Sequence, residues 1–170
     1  MINGYIHQFG KTCGGVKNLL LTPACNLKSL SWHNRNDYYY AIHFHDSRKL
    51  VSCTFSEDAV AYNEQSLCRH GILSVTHTLE FHTDKIDRKS GEFIRELLDN
   101  SCCGLAAVIT TNNNIRLVIG YSEEHGAERP LRLEKISADT GKAYSDTGHE
   151  VIRLCCRDTT KARIFEGPAL

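Results

Sequence analysis

The sequence lacks a net charge, a membrane-length apolar run and a recognisable secretion signal. Its 20 Lys and Arg residues are balanced by 20 Asp and Glu residues. This balance argues against bulk electrostatic attraction to nucleic acid or to an anionic membrane, although a local charged patch is compatible with it. No apolar run approaches the length that spans a bilayer, and the first 15 residues lack the charged-then-apolar build of a signal peptide. We therefore expect a protein that folds in the cytosol without a membrane partner.

The sequence also lacks the common catalytic motifs. There is no G-x-S-x-G, and Gly14-Gly15 precedes a predicted strand instead of opening a helix, which argues against a phosphate-binding loop. Glu123, Glu124 and His125 could be drawn as an acid/base cluster, but a run of charged residues is more typical of a solvated loop. We therefore expect no enzymatic activity, no catalytic residues and no cofactor.

Cysteine is abundant, but no C-x-x-C occurs, so a zinc ribbon or a thioredoxin-like site has no support. The eight cysteines are Cys13, Cys25, Cys53, Cys68, Cys102, Cys103, Cys155 and Cys156. Because disulfide frameworks belong to short secreted chains, we expect these thiols to be reduced and mostly packed as small hydrophobic groups. Two pairs are adjacent in sequence. Adjacent cysteines rarely bond to each other, so a disulfide is easier to form across strands or between subunits.

The spacing His43-x-His45 is the best candidate for a metal-binding pattern. On a strand it places two imidazoles on the same face, where they can share an ion. No carboxylate or cysteine stands at a spacing that completes the ligand set. We therefore predict a polar sheet face and no metal site, and we keep a small metal- or ligand-binding β-barrel protein as the alternative function.

Alternation of apolar and polar residues predicts that most of the chain is β-strand. Outside the centre of the chain, the predicted strands are residues 16–22, 38–44, 50–55, 72–83 and 151–155. The clearest alternation lies in residues 72–83, where Val75, His77, Leu79 and Phe81 share one face. The first strand is expected to stop at a proline, which cannot donate a hydrogen bond to a neighbouring strand.

Two further segments lead to specific expectations. Residues 38–44 and 50–55 flank the polar run of residues 46–49 and are expected to form a hairpin. Residues 58–70 are polar and show no clear period, so we expect a loop with a short strand or a helical turn there.

The centre of the chain, residues 90–133, begins with a predicted amphipathic helix. Its apolar stripe consists of Phe93, Ile94, Leu97 and Leu98. Ser90 is the expected N-cap because its hydroxyl can accept a hydrogen bond from the first turn. Since Gly91 weakens a helix start at this point, Thr83 or Asp84 is the alternative N-cap.

A β-hairpin is predicted directly after this helix. Residues 105–109 form a continuous apolar run too short for a second helix, and residues 110–114 are typical of a turn. Residues 115–119 then alternate with the period of a strand. Together with the other strands, this favours a mainly β (α+β) fold, an antiparallel β-sandwich or barrel with one short helix packed on it. We expect a single domain over residues 1–170, with residues 1–15 as an extended arm or loop; an open antiparallel α+β sheet is the alternative.

The order of these segments resembles small structural proteins of tailed bacteriophages and prophages, tail-tube-like or tail-terminal in type. The segments that carry the resemblance are CGGVKNLLLTPA, THTLEF, the run from Ile94 to Thr147 and EVIRLCCRDTTKAR. In that group a Gly-led strand and a polar turn follow the helix; then come a strand ending in Gly, a basic-apolar strand, a T-G-K-x-x-x-D loop and a final strand. The matching positions are Gly104, Asn113, Ile119-Gly120, Leu131 to Leu133, Thr140-Gly141-Lys142 with Asp146, and Val151 to Cys156. The sequence departs from the group between residues 57 and 71, where a well-defined alternating strand would be expected.

This resemblance implies a non-enzymatic virion protein that is assembled in the host cytoplasm. Such proteins close their sheets into rings, commonly six-fold, around a channel for DNA, and they contact other tail or neck proteins. The resemblance makes the loops of residues 121–129 and 136–148 the expected contacts between subunits, because they are long and polar. Contact with DNA would be passive, since strong attraction to phosphate would hold the DNA back.

Overall fold

The computed structural model describes residues 13–33, 37–45, 49–122, 124–143 and 146–168. These residues form eleven strands, one α-helix and a short 3-10 turn at Ala24–Asn26. The strands are β1 (Val16–Pro23), β2 (Leu27–His33), β3 (Tyr38–Phe44), β4 (Val51–Cys53), β5 (Val60–Arg69), β6 (Ile72–His82), β7 (Leu105–Thr111), β8 (Arg116–Ile119), β9 (Arg132–Asp139), β10 (His149–Asp158) and β11 (Arg163–Phe165). The helix α1 spans Arg88–Asp99. The predicted arm lies largely outside the described residues.

The strands form two sheets, which confirms the prediction of a β-sandwich with one short helix. Sheet A has the order β2-β3-β11-β8-β7-β1-β4, and sheet B has the order β5-β6-β10-β9. Neighbouring strands are antiparallel except for β11 and β3, which run parallel. The predicted central hairpin is the β7–β8 pair of sheet A.

The main core lies between the two sheets and under the helix. Sheet A contributes Leu19 and Ile109, sheet B contributes Leu79 and Phe81, and α1 contributes Leu97. These side chains are almost inaccessible to water. Phe93 and Ile94 of the helix stripe pack against the same cluster, whereas Leu98, the fourth residue of the predicted stripe, is 48% exposed. Because the apolar faces of both sheets and most of the helix stripe meet in this one cluster, hydrophobic burial supplies the main force that holds the layers together.

The centre of sheet A is also buried on its other face. Leu20, Val108 and Val118 form a second cluster with Tyr39 and Phe165. This double burial explains why the apolar runs of β1 and β7 are continuous rather than alternating. In β8 the neighbouring residues Val118 and Ile119, which point to opposite faces, are both buried.

The predicted hairpin between residues 38–44 and 50–55 does not form. Strand β3 pairs with β2 and β11, whereas β4 pairs with β1, with Ser52 opposite Leu20. Strand β2 shows no clear alternation of apolar and polar residues, because two register shifts interrupt the β2–β3 ladder. Because β3 pairs with β2, β4 does not pair with β3 and instead pairs with the edge of β1.

Helix α1 begins at Arg88, and its N-cap lies three residues before the predicted N-cap Ser90. Asp87 is the N-cap, and its side chain accepts a hydrogen bond from the backbone N–H of Ser90 at 2.9 Å. The hydroxyl of Ser90 in turn accepts from the backbone N–H of Asp87 at 3.1 Å. This reciprocal capping box satisfies two backbone donors that the start of a helix otherwise leaves unpaired. No helix in the described part of the chain is long and apolar enough to cross a membrane.

Gly120 lies where three chain segments approach each other closely. Leu105 and Leu131 exchange two backbone hydrogen bonds of 2.8 Å beside it. A Cβ atom on Gly120 would lie 2.5 Å from the carbonyl oxygen of Leu105, and its φ of +78° lies in the left-handed region. The site therefore requires glycine, both for its backbone conformation and for the space that a side chain would occupy.

We expect Gly120→Ala to lower the free energy of unfolding by at least about 3 kcal/mol, because backbone strain and overpacking add. Gly71→Ala is the matched control: its φ is +80°, but nothing lies within 4 Å of the added Cβ. Gly71→Ala should therefore lower the free energy of unfolding only by the cost of the left-handed backbone conformation, about 1 to 2 kcal/mol. Urea unfolding of both variants measures the difference. Equal losses of unfolding free energy in the two variants would show that the close approach at Gly120 does not contribute to the cost of the substitution.

Candidate functional site

The β5–β6 hairpin projects beyond the rest of sheet B. Strand β10 pairs with β6 only as far as the Asp158–Val75 pair, so residues 67–74 form a ribbon of two strands. Every side chain in residues 65–74 is exposed. The chain reverses at His70 and Gly71, both with positive φ, which is the two-residue turn that matches the twist of a hairpin. We call residues 67–74 the projecting ribbon.

The projecting ribbon carries exposed apolar side chains near its tip. Leu67 is 53% exposed, Ile72 is 71% exposed and Leu73 is 37% exposed. Leu67 and Ile72 lie on one face of the ribbon, whereas Leu73 and its partner Cys68 lie on the other. A two-stranded ribbon has little stability in water by itself, and exposed apolar side chains at such a place make it a candidate interaction surface.

The outer edge of β5 is open over its full length within the described sheets. Strand β5 pairs only with β6, in an uninterrupted register of ten residue pairs. The opposite edge strand, β9, has a register shift against β10 and carries Lys135, and both features discourage pairing with another chain. The unpaired backbone groups of β5 therefore form the better template for an additional strand.

A buried polar network fixes the root of the hairpin. Nδ1 of His77 lies 2.8 Å from the hydroxyl of Tyr62, and its Nε2 lies 3.2 Å from the carbonyl oxygen of Thr160. Oε2 of Glu64 accepts hydrogen bonds from the Tyr62 hydroxyl at 3.2 Å and from the backbone N–H of Ala162 at 2.8 Å. Burial and the adjacent Glu64 raise the pKa of Tyr62, so the phenol stays protonated. His77 thus faces the core, as predicted, and the ribbon extends from a fixed base.

His43 and His45 lie on the exposed side of β3 and just beyond its end. Nε2 of His43 is 2.8 Å from the hydroxyl oxygen of Ser31 on the neighbouring strand β2. Nowhere in the described ranges are three or more His, Cys, Asp or Glu side chains grouped so that they could hold a metal ion. The geometry of this pair is that of a polar sheet face.

The sequence cluster around His125 is only partly described, because Glu123 lies outside the described residues. The hydroxyl of Thr159 donates to Oε2 of Glu124 at 2.6 Å and lies 3.5 Å from Nε2 of His125. These contacts tie the loop that follows β8 to the end of β10.

The two loops predicted to contact other subunits differ in their surroundings. The loop of residues 121–129 folds back on its own subunit, with Ser122 buried and its hydroxyl accepting from the backbone N–H of His125 at 3.1 Å. The second loop is shorter than predicted, since β9 continues from residue 136 to Asp139. Its shape depends on Asp146, whose carboxylate accepts from the backbone N–H groups of Lys142 at 2.9 Å and Ala143 at 2.8 Å.

A cleft of about 480 Å³ separates β4 from α1. Phe55, Phe93 and Cys53 give it an apolar side, and Lys85 and Lys89 belong to its charged rim. Burial, assisted by the nearby Glu96, raises the pKa of the Cys53 thiol to about 11. The thiol is therefore protonated near neutral pH and acts as a small apolar group, as the sequence predicts.

Only four of the eight cysteines are buried or partly buried. Cys156 is buried, and Cys53, Cys103 and Cys155 are partly buried. The exposed cysteines are Cys13, Cys25, Cys68 and Cys102. Burial and the neighbouring Asp158 raise the pKa of Cys156 to about 12, so this thiol is unreactive. The expectation that most cysteines are packed is therefore wrong for four of the eight positions.

The chain matches no model of a known protein family, no curated protein and no solved structure in comparisons with each. The fold and the surface features described above therefore carry the functional interpretation. The main feature that sequence reasoning missed is the projecting ribbon. The His70-Gly71 turn and the β-branched residues after it were the available indications, but β5 shows no alternation because its outer half is exposed on both faces.

We expect Asp146 to titrate below the ordinary value of an aspartate, because the two backbone N–H groups hold its pKa down. Because the pKa of Asp146 is lower in the folded protein than in the unfolded chain, the ionised carboxylate holds the loop at every pH above the unfolded pKa of about 4. The restraint is lost as the pH falls through the lower, folded value. An NMR titration following the amide signals of Lys142 and Ala143 measures the midpoint.

The control for this titration is Asp146→Asn, which removes the ionisable group. In this variant the amide signals of Lys142 and Ala143 should lose their acid-dependent change. A midpoint at or above the ordinary aspartate value in the unmodified protein would contradict the role assigned to the two N–H groups.

Proposed function

We propose that this chain is a non-enzymatic structural subunit of a tailed-phage virion, of the tail-tube or neck type, that assembles into rings with copies of itself. The observation that carries the proposal is the projecting ribbon on the open edge of β5. The two-sheet fold with one packed helix also agrees with what the resemblance in the sequence implies.

The proposed assembly proceeds by addition of strands between neighbouring subunits. An open strand edge offers regularly spaced N–H and C=O groups, and a second chain satisfies them without distorting either sheet. The edge of β5 and the receiving surface of the next subunit are different patches, so the contact is heterologous and forms a ring when the rotation closes. The ribbon extends this edge beyond the body of the subunit and carries Leu67 and Ile72 towards the neighbour.

The charge balance of the chain supports the proposed place in the virion. With equal numbers of acidic and basic residues, a ring of these subunits has no net attraction for phosphate. On the outer face of sheet B, Arg153 is paired with Glu80 at 2.6 Å. DNA contact is therefore proposed to be passive, and the specific partners are other copies of the chain and adjoining tail or neck proteins.

We expect Ile72→Lys to abolish the self-association of the protein, because a lysine would be desolvated where an apolar side chain is buried between subunits. Light scattering over a concentration series, followed by negative-stain imaging, should show rings or tubes for the unmodified protein. The variant should stay monomeric, and its melting temperature should equal that of the unmodified protein at concentrations too low for assembly, since Ile72 makes no core contact in the single subunit.

Ile115→Lys is the matched control. Ile115 is 44% exposed beside the turn of the β7–β8 hairpin, on an element that is not the open edge. This variant should assemble like the unmodified protein. A protein that stays monomeric at all concentrations, or equal loss of assembly in both variants, would contradict the proposed role of the ribbon.

The cleft between β4 and α1 supports a second candidate, a small ligand-binding protein. Its volume suits a small molecule, and an apolar side with a few charged groups at the rim is the usual composition of such sites. The charged lining is mixed, with Lys85 and Lys89 beside Asp84, Asp87 and Glu96, so the apolar side favours a small apolar molecule without selecting the sign of its charge. This is the ligand-binding half of the alternative function, without a metal.

The dye 8-anilinonaphthalene-1-sulfonate, an apolar molecule with one sulfonate, tests the second candidate by its fluorescence. We expect Lys89→Glu to weaken its binding by roughly threefold or more, because the sulfonate loses a cation and gains a repelling charge. Lys135→Glu is the matched control, since Lys135 lies on β9 and is not part of the cleft.

Binding that is equally strong in both lysine variants would remove the cleft as a ligand site. Binding that disappears in Ile72→Lys would assign the dye to the projecting ribbon instead. The two candidate functions are therefore separated by the same set of proteins.

A further inference from the structure

Cys25 and Cys103 lie opposite each other at the end of the β1–β7 ladder. The last strand pair is Pro23 with Leu105, and the backbone N–H of Ala24 donates to the carbonyl oxygen of Gly104 at 2.9 Å. The next residues in the same register are the two cysteines. The backbone N–H of Cys25 is 2.8 Å from Sγ of Cys103, although the residues are 78 positions apart in sequence.

The two thiols also interact with each other. Burial, followed by a side-chain hydrogen bond with the Cys25 thiol, raises the pKa of the Cys103 thiol. Cys25 itself is exposed to solvent and Cys103 is partly buried. One thiol of the pair is therefore open to a reagent from solution, and the other lies directly beside it.

The position just past the ladder suits a covalent bond. Directly opposite residues of antiparallel strands have Cα atoms about 4.5 to 5.5 Å apart, which lies within the range of disulfide-bonded cysteines. The cysteines lie two residues beyond the last ladder pair, and the 2.8 Å contact between the Cys25 backbone nitrogen and Sγ of Cys103 keeps the two segments close there. Cys102 precedes Cys103, and its side chain is exposed. The structure thus singles out one member of the adjacent pair.

We propose that Cys25 and Cys103 form an intrachain disulfide when the protein meets an oxidising environment. The cytosolic glutathione pool keeps such thiols reduced, so the bond forms only after the protein has left that pool. The proposal does not depend on the proposed assembly, because both cysteines belong to the same subunit.

A small-molecule disulfide such as oxidised glutathione supplies the oxidant. The exposed Cys25 thiol loses its proton and attacks one sulfur of oxidised glutathione, which releases one glutathione thiolate. The sulfur of Cys103 then loses its proton to water and attacks the Cys25 sulfur of the mixed disulfide, which releases the second glutathione. The protein loses two hydrogen atoms, and one oxidised glutathione becomes two reduced molecules.

The bond would join two parts of the fold that are distant in sequence. Cys25 belongs to the 3-10 turn after β1, and Cys103 belongs to the turn between α1 and β7. The closed loop would contain β2 to β6 and the whole of α1. A long closed loop removes many conformations from the unfolded chain, so the oxidised protein should unfold at a higher temperature.

The test is incubation of the purified full-length protein with oxidised glutathione, followed by peptide mapping without reduction and by thermal unfolding. We expect a linked peptide pair containing Cys25 and Cys103, and a rise in melting temperature of roughly 5 to 10 °C that a reductant reverses. Mapping of the unmodified protein needs no variant, so the result does not depend on the folding of a mutant.

Cys103→Ser and Cys102→Ser form a matched pair of variants at adjacent positions. Cys103→Ser should lose both the linked peptide and the rise in melting temperature, whereas Cys102→Ser should keep both. The proposal is overturned if Cys25 is recovered only as its glutathione adduct, if it is linked to Cys102, or if the two variants behave alike.

Discussion

Burial of both faces at the centre of sheet A is the constraint on which the rest of the structure depends. Strands β1 and β7 turn one face towards sheet B and the helix, and the other towards Tyr39 and Phe165. Each of these strands is also paired on both sides within sheet A, and its continuous apolar run is covered on both faces. The segments packed against them are held by this burial, whereas sheet B ends in the open edge of β5.

The features with functional meaning lie where this constraint ends. Strand β6 is held between two neighbours at Val75 and beyond, but the ribbon past that point has only its own two strands. The network of Tyr62, His77 and Glu64 forms the boundary, because it satisfies the buried polar groups at the root of the hairpin. A fixed root and a free tip suit a segment that gains its remaining contacts from another molecule.

How well each strand could be predicted from the sequence depended on how differently its two faces are buried. Strand β6 was predicted well because its inward residues are buried and its outward residues are not, so Val75 and Phe81 stand out by alternation. Strand β2 was missed because register shifts break its period, and the outer half of β5 was missed because neither face is buried. The pairing of β4 with β1 was beyond sequence reasoning, since the choice between two partners depends on which neighbours are present.

The sequence by itself determined the class of fold, the central helix and hairpin, and the inward face of β6, because local hydrophobic periodicity records which side of a segment is buried. Only the tertiary structure decided which strands pair, where the ribbon leaves the sheet, and that Cys25 meets Cys103. These features depend on contacts between residues far apart in the chain, such as the 78 positions that separate the two cysteines. Hydrophobic periodicity within one segment carries no information about its partner, and the partner is fixed only when the layers pack together.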